Sequence, residues 1–303
     1  MRILLTGVDG QLGFELQRAL APLGELVPST LTGRLPGGGS GRPLDLSQPD
    51  SIDAVLDAVQ PSVVVNPAAY TAVDRAESEP ELARRVNAEA PQRIANWCAR
   101  HDALLVHYST DYVFDGRTTT PWREDDPPAP LGVYGATKLA GEDAIRASGC
   151  RHLILRTAWV YSARFANFLK TMLRLAGERG ELAVVADQIG APTTARGLAE
   201  VTALLLARPE RLEGERLGTF HCVHAGQTSW HGFAEAIFTR AVDAGLLPRA
   251  PGLRAIATSE YPTPARRPAY SVLDTQRLRR VHGIALPDWR CGLDTVIGEL
   301  VTF

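Results

Sequence analysis

Short apolar runs alternate with longer amphipathic stretches through the first half of the chain. The run 3–6 precedes an amphipathic stretch over 12–21, and the run 63–66 precedes one over 81–100. Short apolar runs are typical of buried strands, and longer stretches with helical periodicity indicate helices. Strands separated by helices cannot pair as hairpins, so we expect a parallel sheet covered by helices on both faces. The rhythm continues with runs at 104–109 and 152–156 around a stretch at 134–147.

Beyond about residue 158 this alternation weakens, and proline-rich irregular segments join the apolar stretches. We therefore predict an α/β fold in which residues 1–157 form a Rossmann-like, doubly wound parallel sheet. Residues 194–220 are expected to return to that sheet, whereas 158–193 and 221–303 are expected to form a smaller, mainly C-terminal domain. Helices are predicted in these later parts at 167–177, 196–207, 229–244 and 275–281.

Composition and charge mainly exclude certain classes of protein. Of the 303 residues, 45% are hydrophobic and 22% are charged, which is typical of a soluble globular protein. No apolar run approaches the roughly 20 residues that cross a membrane, and we read no basic leader at the start, so we expect a cytoplasmic protein without a membrane partner. The net charge of −2 gives no reason to expect nucleic-acid binding. The four cysteines are far apart and show no metal-ligand spacing, so no metal site is predicted.

Three glycines directly follow the first predicted strand and open the first predicted helix. Gly7 permits a tight turn, Gly10 lets the backbone approach a pyrophosphate, and Gly13 allows the helix to pack closely on the strand. The helix N-terminus then attracts the negative charge. A glycine-rich turn without a ligand is the alternative, and the position between a strand and a helix argues against it. The cofactor-binding residues predicted here are Gly7, Asp9, Gly10, Gln11, Leu12 and Gly13.

The GxxGxxG spacing resembles that of the extended short-chain dehydrogenases. Asp45 and Leu46 precede a helix that we expect to begin at a capping box on Ser47. In the family that is resembled, an Asp followed by an apolar residue at this place contacts the adenine. A plain surface Asp is the alternative. Small residues after the strand 63–66 indicate a close approach of the backbone to the dinucleotide. The further predicted cofactor contacts are Asp45, Leu46, Ala68, Ala69 and Tyr70.

The second predicted strand, 25–28, does not end in an acidic residue. NAD-specific enzymes usually hold the ribose hydroxyls with such a residue. Ser29, Thr30 and Arg34 could instead accept a 2′-phosphate. We therefore expect NADPH as the preferred cofactor, with NADH also possible.

Tyr134 and Lys138 lie four residues apart in a predicted helix, which places their side chains on one face. A phenol has a pKa of about 10, and a neighbouring ammonium is expected to lower it toward the range of useful acid–base chemistry. Such a pair also occurs by chance on solvated helix faces. Thr110 strengthens the functional interpretation, because it follows a buried strand at the edge where α/β sheets bind ligands. A Thr–Tyr–Lys set suits reduction of a carbonyl: the Thr hydroxyl stabilises the developing alkoxide while the Tyr supplies a proton.

The chain resembles the dTDP-4-dehydrorhamnose reductase family over more than half its length. The segments that carry the resemblance are 70–74, 109–116, 134–142, 156–161 and 187–193.

This resemblance implies NAD(P)H-dependent reduction of the C4 ketone of dTDP-4-dehydro-6-deoxy-L-mannose to dTDP-L-rhamnose. It implies Thr110, Tyr134 and Lys138 as the catalytic set. It also implies that the sugar is bound by Thr110, Asp111, Tyr112 and Trp159. For Trp159, ordinary core packing is the alternative.

Paired arginines mark a late segment that is similar to the same family. Arg266 and Arg267 stand beside a turn, and Arg267 is predicted to bind the substrate pyrophosphate or to shape its pocket; a solvated surface pair is the alternative. Some family members form metal-bridged dimers through glutamates. Arg196 stands in a segment where such a glutamate would be sought, so we expect no metal and either a monomer or a homodimer.

Three other functions compete with this interpretation. Epimerases and dehydratases share the scaffold, but Asp111–Tyr112 stands where a dehydratase would carry an acidic pair. A reductase for another 4-keto-6-deoxyhexose nucleotide would need only small pocket changes. A reductase-like regulatory subunit, as known for methionine adenosyltransferase, would not require an intact Tyr–Lys pair.

Overall fold

A seven-stranded parallel sheet forms the centre of the computed structural model, which describes residues 1–302. Three two-stranded sheets lie outside it. The strands are β1 (Arg2–Leu5), β2 (Glu25–Thr30), β3 (Arg42–Pro43), β4 (Val63–Asn66), β5 (Leu104–Thr110), β6 (His152–Thr157), β7 (Val160–Tyr161), β8 (Glu181–Val185), β9 (Ile189–Gly190), β10 (Thr193–Thr194), β11 (Gly218–His221), β12 (Thr228–Ser229) and β13 (Gly252–Ile256).

Helices cover both faces of this sheet and build the C-terminal part. They are α1 (Gln11–Leu20), α2 (Pro49–Val59), α3 (Val73–Ala76), α4 (Pro80–Arg84), α5 (Ala90–Arg100), α6 (Val133–Ala147), α7 (Phe168–Glu178), α8 (Ala195–Leu206), α9 (Trp230–Asp243), α10 (Gln276–His282) and α11 (Trp289–Thr302). None of these helices within residues 1–302 has the length and apolar character needed to cross a bilayer.

The central sheet has the strand order β11-β6-β5-β4-β1-β2-β3. The chain leaves β1 toward β2 and β3 on one side, then crosses to β4 and continues on the other side. The carboxyl ends of β1 and β4 therefore lie beside the crevice at which doubly wound sheets bind ligands. The predicted α/β, Rossmann-like fold is confirmed.

Alternate residues of each central strand enter two different cores. Ile3 and Leu5 pack with α1 and α8 on one face of the sheet, whereas Leu4 packs with α2 and α5 on the other. Strands β4, β5 and β6 alternate in the same way. Because both faces are covered, these strands are apolar over consecutive positions on both faces, which explains why they stand out in the sequence as continuous runs.

A third core lies in the C-terminal part, between α7, α9 and α11. Strand β11 joins the central sheet next to β6, and α8 packs on α1. Helix α10 also contributes Leu278 and Val281 to the core beneath the sheet. We propose the division into residues 1–157 with 194–220, and 158–193 with 221–303, as the two domains, with α10 leaning on the first.

Several elements differ from the sequence-based expectations. The expected helix over 81–100 is a single rod in which a π-helical turn, Arg85–Glu89, joins α4 to α5. The expected capping box on Ser47 was wrong, because α2 has Gln48 at its N-cap with Pro49 in its first turn. Strands β8 and β13 pair in parallel over a long sequence separation, and α11 closes the chain; none of these three elements was predicted.

Gly13→Ala should destabilise the protein by about 2 kcal/mol or more, the cost of forcing extra volume into a packed site. A Cβ at Gly13 would lie 2.0 Å from the Gly7 carbonyl oxygen, and both groups are backbone-anchored. Thermal unfolding of the purified variant measures the effect. Gly177→Ala is the control, because a Cβ there meets nothing within 4 Å, and it should be neutral or slightly stabilising. Equal melting temperatures for the two variants would contradict the close packing of α1 on β1.

Candidate active site

The glycine turn after β1 leaves an open cradle at the start of α1. Gly7 adopts a left-handed conformation with φ of 57°, and its missing Cβ would lie 2.8 Å from the Ala68 Cβ. A Cβ at Gly10 would contact only the Gly7 oxygen, at 3.4 Å, so the space beside Gly10 is free of protein. Gly10 has no side chain to cap α1, which leaves backbone N–H groups available there. These features fit the pyrophosphate of a dinucleotide.

Two other predicted residues of this turn have structural contacts. The Gln11 side-chain oxygen accepts hydrogen bonds from Ser162 Oγ at 3.0 Å and Asn167 Nδ2 at 2.9 Å, which ties the turn to the segment after β7. Leu12 packs against the core beneath the sheet, whereas Asp9 is exposed. A cofactor contact through the backbone or Asp9 side chain stays a prediction.

The predicted adenine contacts lie between β3 and α2. The Asp45 carboxylate accepts hydrogen bonds from the Ser47 backbone N–H at 2.8 Å and the Ser47 hydroxyl at 2.7 Å, which closes a turn before α2. Leu46 is buried among the apolar residues of α2, beside Ile52. Asp45 therefore shapes the turn that a bound adenine would meet, and its direct contact with the cofactor stays a prediction.

The segment after β4 is held by α3 to α5. Tyr70 donates its backbone N–H to the Asn87 side-chain oxygen at 2.9 Å and receives a hydrogen bond from Asn87 Nδ2 on its carbonyl at 3.0 Å. Its hydroxyl donates to Glu79 at 2.6 Å. Ala69 lies half-buried beside it. This backbone is thus fixed at the carboxyl edge of the sheet, next to the glycine turn.

Two of the residues considered for a 2′-phosphate point inward. Ser29 donates to the Leu5 carbonyl oxygen at 3.3 Å, and Thr30 donates to the Arg34 carbonyl oxygen at 3.1 Å. Both side chains are buried, so the expectation that their hydroxyls bind a phosphate was wrong. Arg34 and Arg42 are exposed at the same end of β2 and are the cations available there.

One face of α6 carries three polar side chains at successive turns: Tyr134, which is half-buried, and Lys138 and Glu142, which are buried. Lys138 donates from Nζ to the Tyr108 carbonyl oxygen at 2.6 Å and lies 3.1 Å from His107 Nε2. Burial lowers the pKa of Lys138 to about 8, against an opposing effect of the Glu142 charge. The amine is therefore held by the backbone and side chain of β5.

Glu142 pairs with Arg156 on β6. Arg156 donates from Nε at 2.9 Å and from Nη2 at 2.7 Å to the two carboxylate oxygens, and both side chains are almost fully buried. Burial acts to raise the pKa of Glu142, but the hydrogen bonds and charge of Arg156 outweigh it, and the net pKa is lowered. This ion pair fixes the rotation and height of α6 over the sheet.

Tyr134 does not have the lowered pKa that its spacing from Lys138 suggested. Burial raises the pKa of Tyr134 to about 12, a hydrogen bond with Thr110 lowers it, and the Asp111 charge raises it further. Lys138 exerts no resolved influence, because its amine is directed to His107 and Tyr108 instead. The phenol is consequently protonated at neutral pH.

Thr110 and Asp111 complete the polar group around Tyr134. The Thr110 hydroxyl donates to Asp111 Oδ1 at 3.0 Å and accepts from the Tyr112 backbone N–H at 3.2 Å. Burial raises the pKa of Asp111 to about 6. The ring of Tyr112 meets that of Tyr134 edge-on, with centroids 5.6 Å apart. The structure therefore brings together Thr110, Asp111, Tyr112 and Tyr134, all named from the sequence.

Trp159 occupies an unusual position after β6. Its φ of 49° lies in the left-handed region, which costs a non-glycine residue roughly 1 kcal/mol or more. Its indole stacks on Trp230, with centroids 3.5 Å apart, and a Cβ at Gly190 would lie 2.4 Å from the same ring. The tight stacking offsets the backbone strain, and Trp159 is only partly buried, which sets it apart from an ordinary core residue.

A cavity of about 740 Å³ opens in the C-terminal part, between α7, β8 and β13. Arg267 lines it, but its guanidinium already pairs with Asp74 at 3.1 and 2.8 Å and also donates to the Ala265 carbonyl oxygen at 3.0 Å. Sequence reasoning missed most of the lining, because these residues carry no motif and meet only through the fold. Other lining residues are Phe168, Thr171, Met172, Arg179, Trp230, Arg254 and Tyr261.

Arg196 lies on α8 and forms ion pairs with carboxylates on two other helices. Its Nη1 lies 2.5 Å from Glu299 on α11, and its Nε lies 3.8 Å from Glu15 on α1. Residues 1–302 contain no group of three or more His, Cys, Asp or Glu side chains placed to hold a metal ion. An arginine thus separates two carboxylates that would otherwise repel each other.

Comparison with known proteins identifies the family. A model described as the RmlD substrate binding domain matches residues 1–302. The chain belongs to this family. A dTDP-4-dehydrorhamnose reductase of Shigella flexneri is 47% identical over 302 residues, covering 100% of this chain and 99% of that protein.

Solved structures agree with this membership in the RmlD family. A dTDP-4-dehydrorhamnose reductase of Clostridium acetobutylicum superposes with a TM-score of 0.88 at 36% identity, covering 99% of both chains. The enzyme of that name from Bacillus anthracis, solved in complex with NADP, has a TM-score of 0.87 at 34% identity and covers 98% of this chain and 99% of that one. The resemblance inferred from the motifs is confirmed.

Asp111→Asn should stabilise this RmlD-family protein at neutral pH. The pKa of Asp111 is higher in the folded state than in the unfolded chain, so the folded protein loses stability as pH rises from about 4 through 6. The variant removes that loss, and its advantage should grow to about 3 kcal/mol at pH 7.5 and vanish near pH 4. Urea unfolding at several pH values measures it. Asp125→Asn, at an exposed carboxylate, is the control; a gain for Asp111→Asn that is the same at every pH would contradict the buried charge.

Proposed function

We infer that this chain is an NADPH-dependent oxidoreductase that reduces the C4 ketone of dTDP-4-dehydro-6-deoxy-L-mannose to give dTDP-L-rhamnose. The observation that carries this conclusion is the full-length match to relatives named dTDP-4-dehydrorhamnose reductase, one of which is 47% identical. The cofactor assignment rests on the related structure solved with NADP. The roles of individual residues are proposals that follow from the site geometry.

The cofactor is proposed to lie along the carboxyl edge of β1, β2 and β4. The pyrophosphate would rest on the glycine turn at Gly7, Gly10 and Gly13, where the backbone N–H groups of α1 are free. The adenosine end would reach Asp45, with Arg34 as the cation for the 2′-phosphate. When bound, NADPH supplies the hydride.

Thr110 and Tyr134 are proposed to bind the ketone oxygen together. Thr110 lies beside Tyr134 and its hydroxyl now donates to Asp111, so an oxygen placed between them would accept from Tyr134 and, once the Thr110 hydroxyl turns away from Asp111, from Thr110 as well. Tyr134 keeps its proton at neutral pH, because its pKa is about 12, and it donates that proton as negative charge develops on the oxygen. Because its pKa is raised, the phenol gives up its proton only to a strong base such as an alkoxide. Lys138 holds the ribose hydroxyls of the nicotinamide half.

The cavity between α7, β8 and β13 is proposed to hold the nucleotide part of the substrate. Arg179 and Arg254 line it and carry the positive charge that a pyrophosphate needs, whereas Arg267 acts by fixing the wall through Asp74. Phe168 and Trp230 offer aromatic faces for a base or sugar. Asp111, Tyr112 and Trp159 would contact the deoxysugar at the open end.

Other features of the sequence-based interpretation stand as proposals. We propose a monomer or homodimer that acts in the cytoplasm without a metal, nucleic acid or membrane partner. A reductase for another 4-keto-6-deoxyhexose nucleotide differs from this proposal only in the pocket. A regulatory subunit on the same fold is disfavoured by the grouping of Thr110 with Tyr134, which such a role does not need.

The direct test is the loss of nicotinamide absorbance when the purified chain, without added metal, meets dTDP-4-dehydro-6-deoxy-L-mannose and NADPH. We expect oxidation that depends on the sugar and yields dTDP-L-rhamnose. The assay with NADH should give a lower kcat/KM, because Arg34 has no 2′-phosphate to bind. Comparable values for the two cofactors would overturn the preference, and silence with several 4-keto sugar nucleotides would favour the regulatory subunit.

Tyr134→Phe should lower kcat by at least about a hundredfold, since general acid catalysis typically contributes that much. The dissociation constant of NADPH, followed by its fluorescence, should change little. Tyr161→Phe is a matched control, because it removes a buried hydroxyl that has no hydrogen-bond partner and lies in the C-terminal core. Near-normal turnover of Tyr134→Phe would remove this residue from the proton-donor role.

A further inference from the structure

His107 lies at the middle of a buried hydrogen-bonded chain that the proposed mechanism does not use. It stands on β5 and is completely buried. Its Nε2 lies 3.1 Å from Lys138 Nζ, and its Nδ1 lies 3.2 Å from Asn66 Nδ2. Asn66 Oδ1 in turn accepts a hydrogen bond from the Thr6 hydroxyl at 2.6 Å. The chain therefore runs from α6 across the ends of β5, β4 and β1.

The far end of this chain reaches the cofactor cradle. Thr6 directly precedes the glycine turn, and its hydroxyl accepts the Ala68 backbone N–H at 3.3 Å. Ala68 is the residue against which Gly7 packs. One set of hydrogen bonds thus joins the amine of Lys138 to the backbone of the cradle.

The charge of Lys138 determines which atoms carry the protons in this series of hydrogen bonds. An ammonium can only donate, so beside a charged Lys138 the His107 Nε2 must accept and the single ring proton must sit on Nδ1. Nδ1–H then needs an acceptor, and the Asn66 amide must turn its oxygen toward it. With an uncharged amine the order is reversed: Nε2–H donates to the amine, and the amide nitrogen faces Nδ1 across the 3.2 Å contact. His107 itself stays neutral in both states, and its burial together with the Lys138 charge lowers its pKa well below the usual range.

We propose that His107 is a positioning residue that holds Lys138 at the cofactor ribose and links the protonation of that amine to the orientation of the Asn66 amide. The inference rests on the proposed role of Lys138. The Tyr108 carbonyl oxygen fixes one direction of the amine, at 2.6 Å, and His107 fixes a second. Two acceptors on β5 leave the remaining hydrogen of Lys138 for a ligand. Without the imidazole, only the hydrogen bond to the Tyr108 carbonyl oxygen would orient the amine.

His107→Leu removes the acceptor, and His107→Gln retains a side-chain oxygen that can replace it. We expect His107→Leu to raise both the dissociation constant and the KM of NADPH at least about tenfold, because a hydrogen bond to a buried charged group is lost. The KM of the sugar nucleotide should stay within about twofold. His107→Gln should recover most of the NADPH affinity.

His224→Leu is the matched control, since His224 is equally buried but bonds to Thr194 and the Pro287 carbonyl oxygen, away from α6. This control is expected to lower stability but to leave NADPH affinity unchanged. Normal NADPH affinity in a folded His107→Leu would overturn the proposal. Equal losses in His107→Leu and His107→Gln, or equal losses for both substrates, would also overturn it, because they indicate general distortion.

Nitrogen-15 NMR of histidine-labelled wild-type protein tests the inference even if His107→Leu does not fold. We expect one histidine to remain neutral from pH 7 down to pH 5, with its proton on Nδ1, and its Nε2 resonance to shift in Lys138→Met. The His107 signal is assigned by its loss in His107→Gln; protonation of that ring on both nitrogens at pH 6, or its failure to respond to Lys138→Met, would contradict the proposal. NADPH affinity and the NMR signal do not depend on sugar turnover, so failure of the proposed reaction would be seen separately.

Discussion

The buried ion pair between Glu142 and Arg156 sets the geometry on which the site depends. Both side chains are withdrawn from water, and removing either would leave an unpaired buried charge at a cost of about 3 kcal/mol or more. The pair joins α6 to β6 two helical turns from Tyr134. Because a helix is rigid over that length, fixing Glu142 also fixes the height and rotation at which Lys138 and Tyr134 face the sheet.

The other polar side chains on that face of α6 also need partners from the sheet. A buried amine needs acceptors, and Lys138 finds them in the Tyr108 carbonyl and His107, both on β5. A buried phenol needs a partner, and Tyr134 finds it in Thr110 at the end of the same strand. Polar groups that a sheet normally excludes are thus gathered at its carboxyl edge, where the strands stop and the chain can place hydroxyls and carboxylates against α6.

Local patterning was sufficient to predict the sheet and the position of the site. The central strands are apolar on both faces, so each appears as a continuous run, and the glycine turn and the Tyr134–Lys138 spacing lie within single elements. The failures were non-local. The lowered pKa expected for Tyr134 did not occur, because the partner of Lys138 comes from β5 and His107 had no sequence signal. The inward hydroxyls of Ser29 and Thr30, the pairing of β8 with β13 and the cavity lining likewise depend on residues far apart in the chain.

The edge position of β11 has a consequence for how the molecule can be divided. This strand comes after residues 158–193 in sequence but completes the sheet beside β6, and α8 reaches back to cover α1. A fragment that ended at residue 157 would lack both. It would present the unpaired edge of β6, an apolar segment of sequence HLILRT, to the solvent, where it could template pairing with other chains. Exchange of residues 158–193 and 221–303 between relatives, with 194–220 kept in place, would therefore need three crossovers, because β11 and α8 belong to the sheet that begins the chain.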